Sequence, residues 1–281
     1  MHTVLKRDNL RNRKNEWSDY YRKHKKRIII YFVLRAIVAA VLVLSLLGRR
    51  YETAGICVLT LVLFLLPSFL ERKLKIELPD TLEIIILLFI FAAEILGEIG
   101  AWYVKVDGWD TMLHTINGFI FAAIGFSLAD LLNRQKNLHF ELSPFFLAVV
   151  AFCFSMTIGV LWEFFEFGMD QLFLTDMQKD VVIHQFSTVL LDPTNSNLAI
   201  PVTGITDTAI NGESLGLGGY LDIGLVDTMK DLLVNFIGAV VFSVIGFFYV
   251  KSRGRNRFAT HFIPVVKIEE DTEEDQKNIE K

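Results

Sequence analysis

Apolar runs cut by short polar breaks are the dominant pattern along the chain. The runs cover about Arg27 to Gly48, Thr53 to Leu70, Leu82 to Tyr103, Met112 to Leu132, Phe145 to Phe167 and Leu225 to Val250. Each holds roughly 18 to 25 residues, enough for a helix to cross a hydrocarbon core about 30 Å thick. The pattern predicts an all-α membrane protein with six transmembrane helices, helices 3 to 6 forming a bundle. A polar segment, residues 1–26, precedes the membrane domain of residues 27–250. A long polar stretch, residues 171–224, separates the fifth and sixth runs, and residues 251–281 form a tail.

Composition agrees with this class. Hydrophobic residues make up 52% of the chain and mean hydropathy is +0.42, which excludes an ordinary soluble domain. The net charge of −4 matters less than where the charges fall. Lys6, Arg7, Arg11, Arg13, Lys14, Arg22, Lys23, Lys25 and Lys26 precede the first run. Arg72, Lys73 and Lys75 follow the second, Arg134 and Lys136 the fourth, and Lys251, Arg253, Arg255 and Arg257 the sixth. Lys179 is the one basic Lys or Arg in residues 171–224. The positive-inside rule therefore predicts cytoplasmic N- and C-termini, with Arg49 and Arg50 in the first outer turn as the exception. The basic N-terminal segment, interleaved with Trp17, Tyr20 and Tyr21, reads as a topogenic flank or as a surface for anionic lipid. Nucleic acid is not an expected partner; membrane lipids are. The acidic stretch Ile268 to Lys281 reads as a disordered end.

Residues 171–224 combine turn signals, including Asp192-Pro193, Asn211-Gly212 and Gly216 to Gly219, with a β-leaning run at Val181 to Leu191. A lid or small outer cap is one expectation for a connection this long; a flexible loop is the other. Cys57 and Cys153 lie inside apolar runs and form neither a CxxC pair nor a disulfide framework.

The acids inside the apolar runs carry the candidate chemistry. At about 100° per residue, Glu163, Glu166 and Asp170 share one helical face, while Phe164 and Phe165 point elsewhere. Glu94 and Glu98 fall in the outer half of the third run. Asp110, His114 and Asn117 open the fourth, and Asp227, Asp231 and Asn235 open the sixth. Apart from Asp130, every one falls toward the extracytoplasmic side. An acid near mid-bilayer costs on the order of 2.5–3.5 kcal/mol on insertion scales, so these groups should face a protein interior. Asp110-Thr111-Met112-Leu113-His114 also matches Asp227-Thr228-Met229-Lys230-Asp231, which suggests two related hairpins. Asp110 and Asp227 would serve equally as N-caps.

The pattern Asp110…His114…Asn117-Gly118, Trp162-Glu163…Glu166, Asp227-Thr228…Asp231…Asn235…Gly238 resembles the YjdF-like family of bacterial inner-membrane proteins, whose function is not established. It is more distantly similar to VanZ-like proteins, which are linked to resistance against lipoglycopeptide antibiotics. The resemblance covers about residues 80 to 250 and implies a multi-pass protein of the bacterial plasma membrane.

Eight carboxylates, those of Glu94, Glu98, Asp110, Glu163, Glu166, Asp170, Asp227 and Asp231, join one imidazole with Lys230 as the nearby cation. Like charges cannot all ionise in a low-dielectric site; either some stay protonated or a cation neutralises them. A divalent metal, Mg²⁺, Mn²⁺ or Zn²⁺, is the economical solution. Its ligands would come from His114, Asp110, Glu163, Glu166, Asp170, Asp227 and Asp231, with Glu94, Glu98, Asn117 and Asn235 as possible additions. Glu163 and Glu166 would then be the catalytic acids, acting on an envelope or lipid-linked substrate. Two other classes stay open: a proton- or cation-coupled small-molecule transporter, and a non-catalytic scaffold with a structural polar network. No nucleotide cofactor is expected, because neither a Walker loop nor a Rossmann fingerprint is present. Ser155 lacks the Gly-x-Ser-x-Gly turn of a hydrolase nucleophile.

Overall fold

A computed structural model describes residues 21–74, 76–133, 142–252, 259–263 and 265–266. Most of the basic N-terminal segment, Lys75, Arg134, Lys136, Arg253, Arg255, Arg257 and the acidic end lie outside them. Helix α1 (Lys25–Leu47) is followed by α2 (Tyr51–Leu63), α3 (Leu66–Leu74) and the short strand β1 (Ile76–Glu77). Next come α4 (Asp80–Phe91), a π-helix (Ala92–Ile99), α5 (Trp102–Lys105), α6 (Trp109–Asn133) and α7 (Pro144–Phe173). Short strands β2 (Val182–Ile183), β3 (Gln185–Thr188), β4 (Ile200–Thr203), β5 (Ala209–Ile210), β6 (Glu213–Ser214) and β7 (Tyr220–Leu221) precede α8 (Leu225–Lys251). A 3₁₀ turn (Ala259–His261) and β8 (Val265–Val266) end the described chain.

Among the described residues, five helical stretches are long and apolar enough to cross a membrane: Lys25–Leu47, Tyr51–Lys73, Trp109–Asn133, Pro144–Phe173 and Leu225–Lys251. The third expected run is not among them. Its α-helix stops at Phe91, and the chain continues in the wider π-turn, closed by a five-residue bond from the Gly100 N–H to the Ile95 carbonyl. Ala101, at φ 56°, then turns the chain into α5.

Three helices form the centre. Asp110, Gly118 and Phe126 of α6 meet Asp231, Asn235 and Gly246 of α8 in ascending order, so the two helices run parallel. Helix α7 runs against both. Glycines set the spacing: a Cβ on Gly118 would overlap the Asn235 carbonyl oxygen, and one on Gly238 would overlap that of Thr115. The contact is reciprocal, each glycine lying three residues beyond the position its partner helix covers. A Cβ on Gly159 of α7 would come within 2.7 Å of the Asn235 side-chain nitrogen. Small residues at a membrane interface let backbones approach closely enough for such contacts. The Ser155 hydroxyl of α7 donates to the Gly118 carbonyl at 2.7 Å, which makes this serine a helix pin rather than a nucleophile. Below this layer Phe119, Phe126 and Phe242 meet edge to face.

At the opposite edge, α1 is tied to α4 by charge. His24 Nδ1 lies 2.7 Å from Asp80 Oδ1, and Arg27 donates to Glu83 at 2.8 Å. Strand β1 pairs antiparallel with β8, so the far end of the chain returns to the same place.

The segment of residues 171–224 folds into a cap built from small antiparallel pairs, β2 with β7, β3 with β4 and β5 with β6. Asn211 and Gly212, both at positive φ, form the two-residue turn between β5 and β6. Phe186 and Tyr220 pack at 5.1 Å and join two of the pairs. Asp192 organises the turn after β3, its two carboxylate oxygens accepting from Thr194, Ser196 and Leu198.

Candidate functional site

The helical spacing places Glu163 and Glu166 inside and their neighbours outside. Both acids are buried, whereas Phe164, Phe165 and Phe167 are exposed on the face that lipid would cover. Because α6 and α8 run parallel and start at the level where α7 ends, their first turns meet the α7 acids in one layer. The centre of that layer is His114. Its Nε2 lies 3.5 Å from Asp110 Oδ1 and 3.9 Å from Asp231 Oδ2, while its Nδ1 lies 3.9 Å from Glu163 Oε1.

Both ring nitrogens therefore face carboxylates. A neutral imidazole carries a single N–H, so one of its nitrogens turns a lone pair toward an acid. Asp231 is 1% exposed, and its Oδ1 is buried without a hydrogen-bond partner among the described residues; Glu163 Oε2 is buried in the same condition. Asp110, His114 and Asp231 each offer one ligand atom, all within 4.8 Å of one another. An oxygen-rich set with one imidazole suits a divalent ion. Glu163 stands on the other ring nitrogen, where an outer carboxylate orients a metal-bound histidine.

The remaining predicted residues divide by what they touch. Glu166 is buried beside this group and accepts from the Trp162 indole N–H at 2.7 Å. Asn235, fully buried, stacks one turn below Asp231, with Asn117 Nδ2 3.4 Å from its Oδ1. Asp170 lies on the expected face but turns to the chain beyond α7, accepting from Met177 N–H at 2.7 Å, Gln178 N–H at 2.9 Å and the Thr175 hydroxyl. Asp227 does not cap α8. Gly224, at φ 87°, occupies the cap position, and Asp227 in the first turn accepts from Lys179 N–H at 2.8 Å. Asp222 accepts from Val181 N–H at 2.8 Å. Residues 177–181 thus form a strap fastened by three aspartates across the end where α7 stops and α8 starts. Glu94 is half-buried and Glu98 exposed on the π-helix, and neither joins the group around His114.

Two participants escaped the sequence pattern. Tyr103 lies against Gly97, within electrostatic reach of Asp110, Glu98, Glu94 and Glu166. Its signal was an aromatic at the end of an apolar run, indistinguishable there from an interfacial anchor. The strap offered no signal, because backbone N–H groups carry no sequence mark.

Fold and site together define a multi-pass helical membrane protein with a buried carboxylate–imidazole cluster near one end. Residues 30–252 match the family model described as a predicted membrane protein, DUF2238, and the chain belongs to that family. An uncharacterized protein of Thermotoga maritima is 26% identical over 141 residues, which is 50% of this chain and 70% of the relative. No solved structure matches.

Proposed function

We propose that the protein binds a divalent cation on Asp110, His114 Nε2 and Asp231, and uses it on an envelope or lipid-linked substrate reached from outside the cell. The observation that carries this reading is the imidazole flanked on both nitrogens by buried carboxylates, two of whose oxygens, Asp231 Oδ1 and Glu163 Oε2, have no hydrogen-bond partner among the described residues. Unpaired buried acceptors are costly, and a bound cation would satisfy them. When bound, the ion would polarise a phosphoryl or ester oxygen. Glu163, 3.9 Å from His114 Nδ1, is assigned the positioning of the ring, and Glu166, steadied by Trp162, is the base. The two glutamates expected to be catalytic are thereby divided into a positioning group and a base. The strap and cap cover the outer side of the same layer.

The reading includes six crossings, both termini in the cytoplasm and a bacterial plasma-membrane location. Contacts between chain ends support the even count. His24 and Arg27 meet Asp80 and Glu83, and β1 pairs with β8 beyond α8, which puts the start of α1, the start of α4 and the end of α8 at one level. Asp110 at the start of α6 lies beside Asp231 at the start of α8, at the other level. The segment from Asp80 to Ile99 must then pass between the two levels. The YjdF-like assignment is part of this reading and is consistent with the DUF2238 match. Neither match concerns VanZ-like proteins, and no resistance role is carried over. A transport path finds less support, since the layer inside Asn235 is apolar and closed: Ala122, Ala123, Phe126, Ala239 and Phe242 are each fully buried.

Melting in detergent tests the cation. A ligand of the folded state stabilises by RT ln(1 + [L]/Kd), about 2.7 kcal/mol at a hundredfold excess over Kd. The wild type should melt lower after chelation and recover with Zn²⁺, Mn²⁺ or Mg²⁺, and Asp231→Asn should lose that response. Glu163→Gln should keep a weakened response, because it removes an outer partner of His114 and not a ligand. A wild type indifferent to chelator and metal would end the cation reading and leave a proton relay or a structural network.

A further inference from the structure

An open groove lies away from the acidic layer, in the half of the molecule toward the ends Pro144 of α7 and Lys251 of α8. It has a volume of about 360 Å³ between these helices and is lined by Phe145, Ala148, Phe152, Ser243, Phe247 and Phe248, with neighbouring valines. That volume falls within the roughly 300–1,000 Å³ of small-molecule sites. We propose that this groove binds one anionic phospholipid, with an acyl chain between the helices and the phosphate at the rim.

Two features select this occupant. First, the surface of the groove is wholly apolar, and Phe145, Val244 and Phe248 on its borders are exposed, so the groove opens on the surface that lipid tails cover. An acyl chain fills it without burying a polar group. Second, the rim is positive. The Lys251 ammonium lies 5.6 Å from the Phe247 ring centre, folded back over the groove wall, and Phe145 marks the positive end of the 30-residue helix α7. A phosphate meets both, whereas a zwitterionic lipid brings its own cation to the same rim.

Native mass spectrometry of the delipidated full-length protein, mixed with phosphatidylglycerol or phosphatidylcholine of matched chains, tests the site. The wild type should retain one equivalent of phosphatidylglycerol under activation that strips phosphatidylcholine. Lys251→Gln, at an exposed position that leaves the core untouched, should weaken phosphatidylglycerol retention about fivefold, the worth of one basic residue at an anionic surface. Ala148→Trp should fill the groove and abolish the retained equivalent. Equal retention of the two lipids by the wild type overturns the proposal, as does unchanged retention by Lys251→Gln. A correctly folded Ala148→Trp that keeps its lipid overturns it too.

Discussion

Single glycines fix how near the central helices can come, and their substitution separates packing from chemistry. Gly118→Ala and Gly238→Ala each drive a methyl into backbone of the opposite helix, which cannot move aside as a side-chain tip can. Overpacking of this kind costs about 1–3 kcal/mol. At Gly168, in the same helix as Gly159, an added methyl would meet nothing within 4 Å. Gly168→Ala should be neutral or stabilising by up to about 1 kcal/mol, the helix-propensity difference. Thermal melting of the three variants checks the order, and a Gly118→Ala protein as stable as Gly168→Ala would refute the close approach. Arg35 shows the opposite limit of residue-level reading. It stands within an apolar run that simply counted as a span, yet its guanidinium lies 4.1 Å from the Tyr31 ring centre, with Nε and Nη2 buried and without a hydrogen-bond partner among the described residues.

Among the elements, the cap is where an acid works by hydrogen bonding alone. The Thr194 hydroxyl and N–H, then the Leu198 and Ser196 N–H groups, hold the Asp192 carboxyl well below the usual carboxylate range. An acid depressed in the fold contributes stability above its unfolded value of about 3.9, lost only as pH falls through the lower folded value. The turn at residues 192–198 should therefore stay closed at mildly acidic pH. Asp192→Asn should open it at every pH, read as faster hydrogen exchange at residues 194–198 with melting of the bundle unchanged. Exchange equal to wild type would refute the role of Asp192. Much of the helical plan was legible, because period-3.6 spacing fixes which face an acid occupies: Glu163, Glu166, His114 and Asp231 met as their spacing required. The division of labour was not legible. Asp170 shares the face of Glu163 and Glu166, but only the path of residues 175–178 decides that its oxygens cap the strap. Glu94 and Glu98 were placed by a 100° rotation that the π-helix does not follow, so their i, i+4 relation did not bring them to the site.

At the scale of the whole molecule the count of crossings decides which compartment the acidic layer faces. Five stretches pass by length and hydropathy, and a five-crossing chain would put its ends on opposite sides. The paired ends argue for six. Strand β8 lies beyond α8 and pairs with β1 just before α4, while His24 before α1 reaches Asp80 in α4. An open strand pair and a histidine–aspartate contact belong in water or the headgroup region, since lipid cannot satisfy their backbone groups. Ends that meet in this way lie on one side. Basic residues near them, Lys25, Lys26, Arg72, Lys73 and Lys251, are the ground on which the proposed function assigns that side to the cytoplasm. A reporter active only in the cytoplasm should work when fused after Lys281 and fail when inserted at Asn195 in the cap; a periplasmic reporter should do the reverse. Cysteine labelling gives the same answer without a fusion. In a variant lacking Cys57 and Cys153, a cysteine at Asn195 should react with an impermeant maleimide in intact cells, and one at Ser252 should react only after lysis. If Ser252 were labelled in intact cells while Asn195 was protected, the acidic layer would face the cytoplasm and an envelope substrate could not reach it.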